Sequence, residues 1–342
     1  MDSAGVTFVL ADPHGRFHDV SLFQEVAWPR PGPSLQRRDG GWLTRLPRPG
    51  VDRMEYLFEV LHPDGGYELL TDPVNPRRAP GAFGEKSVVE FPEYAPPSWL
   101  AEQPAPDGSL RALSLEGLAT GCLWSPYGSD DGEPLPLLVV HDGVEYAQFS
   151  QLRQLLDRSM RAGTLPPFRA ALLGPTARDE QYSACPAYAE ALTQYILPRL
   201  HAMSPIKPGR RYRVGMGASL GALAMLHAHR LWPASFGGLF LQSGSFFHHR
   251  YFRHDLGFTH FERIRWFLDR VHAAGNWDLP IPVTMTCGEV EQNFPNNRAT
   301  GLALRAQGYS VTFRRVRDAH TWVGWRDAFT PGLVDLLTGL WG

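Results

Sequence analysis

Five residues near the middle of the chain, Gly217-Ala218-Ser219-Leu220-Gly221, restrict what it can fold into more than any other stretch. They make a G-x-S-x-G pattern, with the apolar run 212–216 before it and the helix-favouring residues 220–232 after it. A serine in that setting sits on a sharp strand-to-helix turn with strained backbone angles. Small flanking residues are needed there because neighbouring chain passes close by. The turn presents the Ser219 hydroxyl as a nucleophile. The amide N–H of Leu220, at the start of the helix, can then point at a developing oxyanion, aided by the helix dipole.

Such a turn belongs at the end of a strand in a largely parallel sheet, and the chain supplies that pattern after about residue 110. Strand-like runs at 135–141, 168–173, 212–216, 238–242, 282–287 and 311–316 alternate with helical patterns near 146–160, 187–201, 219–231, 261–274 and 296–307. The first 110 residues read differently. Short strand patterns at 6–10, 41–46 and 54–60 are punctuated by turns such as Arg38-Asp39-Gly40-Gly41 and His62-Pro63-Asp64-Gly65-Gly66. No amphipathic helix stands out among them, so an all-β sandwich is expected. The Pro-rich stretch 94–108 reads as a linker. A length of 342 residues also favours two domains over one. The expected fold is α/β. A smaller all-β, immunoglobulin-like domain over 1–110 is followed by an α/β-hydrolase domain with a mostly parallel central sheet over 111–342.

Composition removes several classes of function. A formal net charge of −2 gives no overall attraction to nucleic acid or anionic membrane. No uninterrupted apolar stretch reaches the ~18 residues that a spanning helix needs. Three scattered cysteines, Cys122, Cys185 and Cys287, build neither a disulfide framework nor a zinc site. The start, Met1-Asp2-Ser3-Ala4, lacks the basic and apolar regions of a secretory signal, so a cytoplasmic location is expected.

A nucleophilic serine needs a base, and in this architecture the chain order is nucleophile, acid, histidine. Of the 13 histidines, His320 follows the last strand pattern and so lies in a loop at the C-terminal end of the sheet, where such folds hold their active sites. The acid should follow the preceding strand, where Glu289 and Glu291 compete within Gly288-Glu289-Val290-Glu291. Glu291 is preferred to Glu289, and Asp318 is a further candidate whose place two residues before His320 is awkward. A second oxyanion donor is expected after the apolar run 135–141, from the backbone N–H of Gly143 or Val144.

With these pieces in place the chain resembles the enterochelin esterase family of siderophore hydrolases. The resemblance rests on Val139-Val140-His141-Asp142-Gly143, the serine motif through Ala222, Leu241-Gln242-Ser243-Gly244-Ser245-Phe246, and Asp318-Ala319-His320-Thr321-Trp322 with Trp325-Arg326. The front end adds Thr71-Asp72-Pro73-Val74-Asn75-Pro76 and Trp99-Leu100. The resemblance implies Ser219 as nucleophile, His320 as base and a glutamate of the 289–291 loop as acid. Arg178 is a candidate substrate contact, and Trp322, like Trp325, can serve either as pocket wall or as core. Relatives carry R-x-x-E-Y where this chain has Arg178-Asp179-Glu180-Gln181-Tyr182, and a Trp pair where it has Phe247-His248-His249-Arg250.

The segment 248–254, with His248, His249 and Arg250 at its start, mixes cationic and aromatic residues that suit a polyanionic, catechol-rich ligand such as a ferric siderophore. Adjacent histidines seldom face one ion, and no acidic or Cys partner stands at useful spacing, so no metal site is expected. Ester hydrolysis through an acyl-enzyme follows, without a cofactor, on a small-molecule ester. Alternatives are a carboxylesterase acting on acylated carbohydrate and a non-catalytic binding protein. The intact Ser/Glu/His set argues against the second. Oligomeric state is not readable.

Overall fold

The computed structural model describes residues 5–27, 34–101, 108–248 and 257–342. The chain forms two compact units. The first contains Met1–Ala95 together with two short later segments, Gly288–Gln292 and Val316–Gly324; the second contains Pro96–Cys287, Asn293–Arg315 and Trp325–Gly342.

Eight described strands build the first unit: β1 (Gly5–Ala11), β2 (Asp19–Gln24), β3 (Gln36–Arg38), β4 (Gly41–Pro47), β5 (Arg53–Leu61), β6 (Tyr67–Leu70), β7 (Arg78–Ala79) and β8 (Lys86–Glu90). They form two sheets, β1-β4-β3 and β2-β5-β8-β7, with β6 also paired to β5. Alternation along the strands explains the sandwich. Val6, Phe8 and Leu10 of β1 and Trp42 and Leu46 of β4 meet Val20, Leu22, Tyr56, Phe58 and Val60 of the other sheet in one buried cluster. Two residues from the far end of the chain, Val290 and Ala319, belong to that same cluster.

The second unit is a layered α/β domain. Its strands are β9 (Ser109–Leu115), β10 (Ala119–Ser125), β11 (Leu137–His141), β12 (Arg169–Pro175), β13 (Arg213–Ala218), β14 (Gly238–Gln242), β15 (Pro282–Gly288) and β16 (Ser310–Val316). The order across the sheet is β16-β15-β14-β13-β11-β12-β10-β9. β12, β11, β13, β14 and β15 pair in parallel, and β9 and β10 form an antiparallel edge. Every residue of β11 and β14 is buried, as expected of strands covered on both faces. The helix Leu220–Leu231 is buried along almost its whole length, which accounts for its apolar sequence.

The fold differs from the sequence reading at several elements. The helix expected near 146–160 is two helices, Gly143–Phe149 and Leu152–Arg161, separated at Gln151, whose φ is 52°. The helix expected at 187–201 contains a π-helical stretch, Ala191–Ile196. Pro198 lies just beyond it. Its ring needs room near the carbonyl of residue 194 and it offers that carbonyl no N–H, and a wider turn relieves both problems. The β9–β10 hairpin, the short helix Arg178–Tyr182 and the last helix, Phe329–Trp341, were not expected. Part of the expected linker, 102–107, lies outside the described residues. Among the described residues no helix is long and apolar enough to cross a membrane. No group of three His, Cys, Asp or Glu among them is placed to hold a metal ion.

Burial leaves a titration signature. It pushes His141 and His227 down to about 4 and His229 down to about 3. The unfolded chain takes up these protons near pH 6.5 and the folded chain only well below it. The stability they contribute is therefore complete above about pH 6.5 and is lost as pH falls through the folded values. Burial also raises Asp318, against the pull of the Arg53 charge and hydrogen bond that favour its carboxylate. We expect His227→Phe to flatten the slope of urea-unfolding free energy between about pH 6 and 4.5 by about one proton. An unchanged slope would show that His227 is already charged in the folded protein.

Candidate active site

The G-x-S-x-G segment forms the turn that its sequence requires. β13 ends at Ala218, the helix Leu220–Leu231 begins one residue later, and Ser219 between them has φ 54° and ψ −125°. This is a region that residues with a side chain rarely occupy, so the turn must be held from outside. The Ser219 N–H donates to the Gln242 carbonyl at 3.0 Å, and the Ser219 carbonyl accepts from the Ser245 N–H at 3.0 Å. A Cβ on Gly217 would stand 2.5 Å from the Gly221 carbonyl carbon, so a side chain there would force the turn open.

The neighbouring Ser243-Gly244-Ser245 turn supports Ser219. Ser245 Oγ lies 3.1 Å from Ser219 Oγ. Ser243, at φ 45°, accepts from the Trp325 indole N–H at 3.0 Å. The Gly244 N–H donates to Asn297 Oδ1 at 2.8 Å, and its carbonyl accepts from the Nδ2 groups of Asn293 and Asn297. Beneath it the buried Gln242 amide donates to Thr286 Oγ1 and the Trp325 carbonyl and accepts from the Tyr146 hydroxyl. The sequence reading gave none of these supporting side chains a role. Gln242, Ser243, Ser245 and Trp325 were marked only as members of stretches that carry the family resemblance.

A second polar turn leaves β11. Asp142 has φ 49°, and Gly143 opens the helix Gly143–Phe149. A Cβ on Gly143 would lie 2.4 Å from Leu172 Cα, so glycine lets the chain pass against β12. The Asp142 carboxylate is gripped by Arg178, whose Nε donates at 3.0 Å and whose Nη2 donates at 2.7 Å. Burial opposes the Arg178 charge, and the bond and charge of Asp142 more than restore it, raising its pKa. Arg178 thus orients the turn that carries Gly143, with its side chain still 40% exposed. His141 ties this turn to the serine turn. Its Nδ1 faces the Gly221 carbonyl at 3.0 Å and its Nε2 faces the Tyr188 hydroxyl at 2.9 Å. A carbonyl only accepts, so Nδ1 carries the proton and Nε2 receives the Tyr188 hydrogen.

The acid and base candidates meet in the first unit. Past the end of β15, Glu291 Oε1 accepts from the Gly288 N–H at 2.7 Å, closing a tight turn. Glu291 Oε2 lies 2.8 Å from His320 Nδ1, with Glu291 almost wholly buried and His320 partly exposed. A carboxylate facing the ring fixes the proton on Nδ1 and leaves Nε2 able to accept one. The carboxylate on His320 is therefore that of Glu291. The Glu289 backbone N–H donates to the Val316 carbonyl, holding the two loops side by side.

The remaining expected residues are more scattered. His248 stands 3.4 Å from Asp269 and stacks on His272, with ring centres 5.0 Å apart. His249 and Arg250 lie outside the described residues. Trp322 opens the short helix Trp322–Asp327 and is partly buried.

Known proteins resemble this chain over most of its length. The chain is 27% identical over 301 residues to an iron(III) enterobactin esterase of Escherichia coli O6:H1 (strain CFT073), covering 84% of this chain and 72% of that protein. It is 30% identical over 217 residues to an iron(III) enterobactin esterase of Dickeya dadantii, covering 62% of this chain and 50% of that one. Among solved structures, the enterobactin esterase of Shigella flexneri, determined in the presence of enterobactin, superposes with a TM-score of 0.76. That match is 22% identical and covers 98% of this chain and 93% of that one, and it establishes a shared fold. Residues 114–336 match the family model described as Putative esterase. That match spans the serine turn and His320 and more than half of the chain, and the protein is a member of that esterase family.

Proposed function

We propose that the protein is a serine esterase that opens the ester-linked backbone of a catecholate siderophore of the enterochelin type, freeing its iron. The observation that carries the catalytic reading is the strained turn at Ser219, held at φ 54° at the start of a helix. The substrate reading is supported by the relatives named iron(III) enterobactin esterase. Further support comes from the Shigella flexneri structures determined with enterobactin and with 2,3-dihydroxy-N-benzoyl-serine.

In this reading His320 Nε2 takes the proton of Ser219 Oγ as that oxygen attacks the ester carbonyl. Glu291 accepts the Nδ1–H bond and stabilises the imidazolium that forms. The negative charge of the tetrahedral intermediate falls on the former carbonyl oxygen, where the N–H groups of Leu220 and Gly143 serve as donors. Collapse breaks the ester C–O bond, and the imidazolium returns its proton to the leaving alkoxide. Water then attacks the acyl-serine, with His320 again taking the proton; the bond from the acyl carbon to Ser219 Oγ breaks, the imidazolium returns its proton to that oxygen, and the acid departs. Arg178 steadies the Gly143 turn through Asp142 and, with His248 and Trp322, is read as part of the binding surface for an anionic catecholate ligand.

Ser219→Ala should lower turnover of a p-nitrophenyl acyl ester by about 10⁴–10⁶. Substantial activity in that variant would remove Ser219 from the mechanism. Glu291→Gln should cost more than about tenfold in kcat while Glu289→Gln costs less, measured on the same ester. The reverse order would move the acid to Glu289. Ferric and iron-free enterobactin assayed beside feruloyl and acetyl esters tests the substrate. Preference for the feruloyl or acetyl ester would overturn the siderophore reading and leave the esterase reading standing.

A further inference from the structure

Neither the serine turn nor the oxyanion turn explains a buried charge cluster in the first unit. Arg53, on β5, is almost completely buried with Asp318 and Glu55: Nη1 donates to Asp318 Oδ2 at 3.1 Å, and Nη2 donates to Glu55 Oε1 at 3.0 Å. Strand alternation sends Met54 and Tyr56 into the sandwich core, so Arg53 and Glu55 face the other side of the sheet. Segment Val316–Gly324 lies on that side. Val323 packs there against Ala79 of β7 and Val88 of β8.

Asp318 organises the turn that contains His320. Its Oδ1 accepts from the Ala319 N–H at 2.7 Å and from the Thr321 hydroxyl at 3.3 Å, while Thr321 Oγ1 accepts from the Gly324 N–H at 2.9 Å. One carboxylate oxygen therefore holds the residues on both sides of His320, and the other is held by Arg53. The same turn touches the acid. A Cβ on Gly288 would lie 2.2 Å from the Asp318 carbonyl and 2.8 Å from Glu291 Oε1, so the two loops interlock at a glycine. Backbone bonds complete the attachment: Ala27 N–H to the Val290 carbonyl, and Asp52 N–H to the Arg317 carbonyl, each at 2.8 Å.

A buried ion pair is a poor source of net stability, because desolvating both charges consumes most of what their attraction gives. Its role is better read from what it fixes. We propose that Arg53 is a positioning residue for ester hydrolysis, holding through Asp318 the turn that sets His320 on Glu291. The inference rests on the reading of His320 as the base. A shift of the imidazole by a fraction of its hydrogen-bond length weakens proton transfer without touching the binding of substrate.

The test uses the full chain with Arg53→Met, which keeps an unbranched apolar stem and removes the charge and the donors to Asp318 and Glu55. Three readouts are compared with the native protein: kcat, KM for a neutral p-nitrophenyl ester, and the low-field NMR resonance of the His320 Nδ1 proton, identified by its absence in His320→Ala. We expect kcat to fall at least about tenfold with KM within about twofold, and the low-field resonance to move or vanish. A folded Arg53→Met with kcat within about twofold of native, or with an unmoved resonance, overturns the proposal. If Arg53→Met does not fold, Asp318→Asn takes its place, keeping the side chain's shape and its acceptor for Ala319 and Thr321. The same three results are expected, and the same failures count against the idea. A fully active His320→Ala would sink the base assignment itself. A dead His320→Ala beside an unaffected Arg53→Met sinks only the role of Arg53.

Discussion

The α/β unit is arranged around one strained residue. Ser219 holds a backbone conformation that costs on the order of 1–3 kcal/mol and persists only because its surroundings leave no alternative. The Gln242 carbonyl, the Ser245 amide and the closeness of Gly217 to Gly221 each fix part of it. Gln242 is in turn anchored by Tyr146, Thr286 and Trp325. His141 extends the same bracing to the turn at Asp142 and Gly143, since its ring bonds to the Gly221 carbonyl. Burial keeps that histidine neutral, which its single-donor role requires. Bending at one of these turns would be felt at the other.

The Glu291–His320 pair is supported differently. It is carried by two short loops leaving neighbouring strands, and loops alone hold a side chain loosely. Here the loops belong to the compact unit built by the N-terminal strands. Val290 and Ala319, each the immediate predecessor of a proposed catalytic residue, are buried in that unit's core. The β-rich front of the chain is thus part of the frame on which Glu291 and His320 are mounted.

How much of this could be read from the sequence follows from how local each signal is. The serine turn was legible because strand, glycine spacing and helix lie within about 20 residues. The fully buried strands were legible because they are continuous apolar runs. β9 was not, since its residues are mostly exposed edge positions without clean alternation. The last helix was hidden by Pro331, Gly332 and Gly339, which ordinarily break such a pattern. Sequence also left Glu289 and Glu291 open, because the choice depends on a tight turn in which Glu291 reaches back to the Gly288 amide. Arg53 and Asp318 stand 265 positions apart, and nothing within one sequence marks such a pair.

That separation bears on how the molecule comes into being. As the polypeptide leaves the ribosome, its first 95 residues can form strands, but the core they share still lacks Val290 and Ala319. Those members arrive only after nearly the entire α/β portion has been synthesised. The core of the N-terminal strands is therefore complete only once these later segments have been made. Contacts of such high sequence separation form slowly and late.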